Sequence, residues 1–174
     1  MGNGEKKMKN LEAANVLVDY GTIEIEVVKK IEKSNNLKLP NKYKQFIIRH
    51  NGASLYVDSF DFYDNVHKRD SCESIAFIRA EKINEDISDL LYQSTDDPDD
   101  PDIYKFYKYF DSKLIPFGDT GGGDLICFDY RNHEGDDPPV VLWCHDYYDE
   151  NWNRISFIAN NFEEFINMLH EYRE

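Results

Sequence analysis

Ile115-Pro116-Phe117-Gly118-Asp119-Thr120-Gly121-Gly122-Gly123-Asp124-Leu125-Ile126-Cys127-Phe128-Asp129 is the stretch on which the fold turns. It is an apolar run, a polar glycine turn, and a second apolar run that ends in an acid. Consecutive glycines permit positive φ, so the centre reads as a hairpin turn between strands at Leu114 to Phe117 and Leu125 to Tyr130. A phosphate loop would carry a Lys-Ser/Thr pair and open a helix. Here the pair is missing and a strand follows.

Toward the C-terminus, Val140 to Cys144 is continuously apolar, which predicts a strand buried on both faces. Ile155 to Ile158 is a further strand candidate. Asn161 and Glu164 have the spacing of a capping box with Asn as the cap, and Phe162, Phe165, Ile166 and Leu169 make one apolar stripe on the helix they open.

Toward the N-terminus, Thr22 is a candidate cap for a helix reaching about Asn35, with Ile25, Val28 and Ile31 at helical spacing. Leu37-Lys38-Leu39-Pro40 leads into a second helix striped by Tyr43, Phe46 and Ile47, and Asn51-Gly52 supplies its left-handed stop. Ser54 to Phe62 and Ser74 to Ile78 read as strands. A third helix is expected from about Ala80, carrying Ile83, Ile87, Leu90 and Leu91. It runs into Asp96-Asp97-Pro98-Asp99-Asp100-Pro101-Asp102, whose five like charges and two prolines predict a solvated loop. Ile103 to Phe110 is aromatic and reads as a short helix. Together these elements predict one α+β domain over residues 11–174, with a mainly antiparallel twisted sheet, packed helices and a flexible tail at residues 1–10.

The 174 residues are enough to bury a core, and twelve Tyr and eleven Phe argue against wholesale disorder. A net charge of −14 argues against nucleic acid and anionic membrane as direct partners. The charge is uneven. Residues 1–50 hold ten Lys/Arg against six Asp/Glu, and residues 51–174 hold ten against twenty-eight. Either solubility or an acidic docking face accounts for that asymmetry. Cys72, Cys127 and Cys144 form no C-x-x-C motif. Cys127 and Cys144 lie in apolar strand patterns, as buried thiols do, and the odd count fits a reducing compartment. With no apolar signal core and no run of membrane-spanning length, a cytoplasmic location is expected.

Four blocks in this order resemble the SUKH superfamily, the group of the yeast Smi/Knr cell-wall-assembly regulators. They are Leu39-Pro40 with Tyr43, Phe46 and Asn51-Gly52; Ile115 to Phe117 with Gly121 to Asp124 and Asp129; Pro139-Val140; and Phe162-Glu163-Glu164-Phe165. The resemblance spans about residues 22–170, and residues 63–112 offer no anchor for it. It implies a non-catalytic immunity protein that binds a cognate bacterial toxin. Toxins of the group are often nucleases, whose basic grooves suit an acidic inhibitor. The alternative it implies is a non-catalytic regulatory scaffold like the yeast relatives.

No constellation of residues marks catalysis, a cofactor or a metal. His145 and Asp146 are adjacent, so a strand would point them to opposite faces, and the same holds for Cys144 and His145. The five His form no i,i+4 zinc motif, and no Ser lies in a G-x-S-x-G context. Asp119 and Asp124 flank the turn without EF-hand spacing. The expected contacts are therefore with a protein partner: Asp96, Asp97, Asp99, Asp100 and Asp102; Asp119 and Asp124; and Tyr147, Tyr148, Asp149, Glu150 and Trp152, where aromatics sit among acids. Packing of those aromatic rings over a sheet edge is the competing explanation.

Overall fold

The computed structural model describes residues 9–84, 111–145 and 154–173. Among the described residues seven strands make one sheet in chain order, with every neighbouring pair antiparallel: β1 (Val16–Val18), β2 (Ser54–Asp64), β3 (Arg69–Phe77), β4 (Leu114–Asp119), β5 (Leu125–Asp129), β6 (Val140–Trp143) and β7 (Ile155–Ala159). Among the described residues there are three α-helices: α1 (Ile25–Asn35), α2 (Asn41–Arg49) and α3 (Phe162–Met168). The α+β class and the antiparallel sheet expected from the sequence are both present.

The continuous apolar runs sit centrally. Leu125 opposes Trp143 and Phe128 opposes Val140, and every residue of Leu125 to Phe128 and of β6 is buried. Phe117 and Phe128 stack with ring centroids 4.1 Å apart. Tyr43 of α2 meets them edge-on at 5.7 and 5.1 Å, and Phe162 of α3 approaches Tyr43 at 5.6 Å. Phe165 packs edge-on against Phe60 of β2 at 5.3 Å. Such pairs add about 0.5–1.5 kcal/mol each beyond the area they bury. This cluster fastens α2 and α3 to one face of the sheet. At the sheet's far reach, the Asn65 N–H donates to Ser156 Oγ at 2.9 Å, bringing the β2–β3 tip to β7. Since β2 and β7 are not neighbours in strand order, the sheet must curl strongly.

The Leu39-Pro40 block works through Glu32. Its Oε1 accepts from the Leu39 N–H at 2.9 Å and from Lys44 Nζ at 3.0 Å, so one buried carboxylate links α1 to α2. Burial pushes this carboxyl up, but Lys44 and the Leu39 N–H outweigh it and hold it below the usual range. Helix α2 ends at Arg49 with His50 as its C-cap at φ −134°, so the left-handed residue, Gly52, follows the stop rather than making it. The buried Asn51 side chain accepts from the Ala80 N–H and donates to Glu81 Oε2, both at 2.8 Å. Gly52 has φ +61°, and a Cβ there would lie 2.6 Å from Arg79 Cγ. Asn161 caps α3 by accepting from the Glu164 N–H at 2.8 Å, and Glu164 bonds the Asn160 amide rather than completing the box.

Several expectations change. Helix α1 starts at Ile25 with Glu24 as its cap, so Thr22 lies outside it. Strand β3 begins at Arg69, earlier than Ser74, because pairing continues through the hairpin to Asp64. Strand β1 carries no sequence signature, as three residues are too few for a period. The helix expected from Ala80 starts as a 3-10 turn, Ala80–Lys82, and Ile87, Leu90, Leu91 and the Ile103 to Phe110 segment lie outside the described residues. The partial alternation in β2 reflects a register shift between Ser54 and Ser59, which leaves Tyr56 exposed and Phe60 fully buried. Near the N-terminus, Asn10 Nδ2 donates to Ile166 O at 2.8 Å and Leu169 O at 3.3 Å.

Candidate protein-binding surface

The glycine turn is a tight loop built from its own polar groups. The Thr120 N–H donates to Asp124 O at 2.9 Å, the Gly123 N–H to Thr120 O at 3.1 Å, and the Asp124 N–H to Thr120 Oγ1 at 3.1 Å. Gly123 has φ +93°, a conformation that side chains rarely adopt. The loop leaves Asp119 exposed and turns Asp124 toward the end of β6. There Asp124 Oδ1 accepts from the His145 N–H at 3.0 Å and lies 2.8 Å from His145 Nδ1. The His145 carbonyl accepts from Arg154 Nη1 at 3.0 Å, and the Cys144 N–H donates to Arg154 O at 2.8 Å. Arg154 is itself buried and lies over the Trp143 ring at 5.5 Å.

His145 and Arg154 flank the segment that holds Tyr147, Tyr148, Asp149, Glu150 and Trp152. A hydrogen bond joins these two flanking residues, and Asp124 bonds His145. Of the residues expected to meet a partner, the structure brings Asp124 to His145, which precedes residues 147–152 in the chain, whereas Asp119 stands exposed on β4. Tyr147, Tyr148, Asp149, Glu150 and Trp152 themselves lie outside the described residues, as do Asp96, Asp97, Asp99, Asp100 and Asp102. Cys127 and Cys144 are buried, as expected, and Cys72 is exposed.

The β2–β3 hairpin adds acids that the sequence did not single out. Asp64 caps its tip, accepting from the Val66 N–H at 2.9 Å and the His67 N–H at 3.0 Å, with His67 Nδ1 2.7 Å from the other oxygen. Burial pushes the Asp64 carboxyl up, and the bonds from His67 and Val66 bring it below the usual range. Glu73 goes the other way. Burial raises it first, and the charges of Asp124 and Asp64 raise it further against the pull of Arg69. Asp61, Tyr63 and Asp70 stand exposed on the same hairpin, and Tyr63 opposes Asp70 directly. A signal for these was present in Asp58-Ser59-Phe60-Asp61-Phe62-Tyr63-Asp64, where acids alternate with aromatics.

The architecture and the four sequence blocks converge on one comparison. The family model described as SMI1 / KNR4 family (SUKH-1) matches residues 22–168. The chain belongs to this family. The SUKH-1 match takes in α1 through α3, including the glycine turn and the β2–β3 hairpin. No curated protein matches the chain. Among the described residues of this SUKH-1 domain, no helix is long and apolar enough to cross a membrane.

Proposed function

We propose that this SUKH-1 protein is a cytoplasmic, non-catalytic immunity protein that binds and neutralises a cognate bacterial toxin domain through an acidic face. The toxin domain is basic, in keeping with a nuclease. The observation that carries the proposal is the charge asymmetry within a SUKH-1 domain: residues 51–174 hold ten Lys/Arg against twenty-eight Asp/Glu. The exposed acids Asp61 and Asp70 on the β2–β3 hairpin support it, because like charges on one hairpin are relieved by a cationic partner. Such a face copies the charge of a phosphate backbone and speeds encounter with a nuclease groove.

The contacts assigned to the partner are Asp119 on the turn, the acids of residues 96–102, and the aromatic and acidic side chains of residues 147–152. Asp124 is held by His145 rather than offered to the partner. The test is the kinetics of association with a candidate cognate toxin domain, followed across salt concentrations. Charge steering slows association as salt rises, while dissociation changes little. Association independent of salt would remove the acidic face from the proposal.

A further inference from the structure

We infer that Asp61, Cys72 and His170 form a binding site for a zinc-class divalent cation, which clips the segment after α3 onto the β2–β3 hairpin. Their ligand atoms all lie within 4.8 Å of one another, although the residues are scattered along the chain. Asp61 and Cys72 are directly opposed on β2 and β3, so both side chains leave the same face of the hairpin. His170 is delivered by backbone pairing. The Ser59 N–H donates to His170 O at 3.0 Å, and the His170 N–H donates to Ser59 O at 2.8 Å.

The imidazole is set up as a ligand. His170 Nδ1 lies 2.7 Å from the Glu171 carbonyl, which can only accept, so Nδ1 carries the ring proton. In the neutral ring Nε2 then presents its lone pair, the arrangement by which a backbone carbonyl orients a metal-binding histidine. Nε2 is buried and has no hydrogen-bond partner among the described residues, although Asp61 Oδ2 is 3.1 Å away. A cation between the two would satisfy both.

The donor set selects the metal. Thiolate, imidazole and carboxylate together suit zinc and its neighbours rather than calcium or magnesium, which take oxygen ligands. Tetrahedral zinc with bonds of about 2.0–2.3 Å sets its donors roughly 3.5 Å apart. Asp61 and Cys72 are exposed and can rotate to close that gap, while His170 is held by its backbone pairs. Three protein donors leave a fourth position for water or a partner's side chain. The site was invisible in the sequence because its ligands lie 11 and 98 residues apart and meet only through strand pairing.

Cobalt(II), followed by zinc, titrated into the metal-free full chain tests the inference. The expected result is 1:1 binding with visible tetrahedral cobalt bands and a near-ultraviolet thiolate-to-cobalt band, both lost on adding zinc. Zinc should also block iodoacetamide labelling of Cys72, the exposed thiol among three. Cys72→Ser should abolish the thiolate band, and His170→Gln should weaken binding by about tenfold or more. Thermal melts of the metal-free variants check that each is folded, and wild-type labelling of Cys72 reads the site without any variant. No thiolate band, a band that persists in Cys72→Ser, or labelling unaffected by zinc would overturn the inference and leave His170 and Asp61 as a simple ion pair.

Discussion

Truncating Phe165 to Ala removes the ring that ties α3 to the sheet. The side chain is 0% exposed and packs edge-on against Phe60 at 5.3 Å and Phe117 at 5.9 Å. The helix cannot slide inward to fill the void, because Asn161 caps one end and Asn10 grips the Ile166 and Leu169 carbonyls at the other. A Phe→Ala change at such a site costs about 3–5 kcal/mol. For a chain of 174 residues that corresponds to a Tm lowered by about 6–20 °C. Guanidinium titration and a thermal melt of the same variant measure it. Phe157→Ala, on a side chain 49% exposed in β7, is the control and should cost no more than about 1 kcal/mol. Equal losses for the two variants would refute the argument that the α3 stripe is core.

Three further outcomes follow from individual groups. The Asp64 and Glu32 carboxyls are held below their ordinary values in the folded protein. Their contribution is therefore complete above about pH 5 and lost as pH falls through the lowered values, so Glu32→Gln should flatten the acid limb of the stability–pH curve. A variant as acid-sensitive as the wild type would contradict this. Tyr43 is buried with its hydroxyl unpartnered among the described residues. Tyr43→Phe should therefore leave stability unchanged or raise it by about 1 kcal/mol, and a clear loss in denaturant titration would point to a missed hydrogen bond. Asp124→Ala should lower stability by about 1–3 kcal/mol through loss of its two bonds to His145, whereas Asp119→Ala should leave Tm unchanged and slow toxin association. Identical melting curves for these two variants would contradict a stabilising role for the Asp124 bonds to His145.

The residues most easily read were those whose pattern is local. The two runs around the glycine turn and the run at Val140 are fully apolar, and β5 and β6 stand side by side at the centre of the sheet. The stripe of α3 repeats at helical spacing, and all four of its residues are buried. Harder to read was anything set by distant contacts. Strand β1 exists because β2 offers it an edge, and Glu32 gains its role only when the chain folds back to Lys44. The same holds for the surface. The acids flanking the turn were legible as polar turn residues, but Asp124's grip on His145 required the β5–β6 register. The convergence of Asp61, Cys72 and His170 required both a hairpin register and the return of the chain after α3.

Immunity is the central claim, and protection of living cells tests it most directly. A candidate cognate toxin domain should be expressed in a sensitive host, with and without the protein. Cells should survive only when the protein is present, and the two should co-purify as a complex. Cell death despite abundant folded protein would contradict the claim.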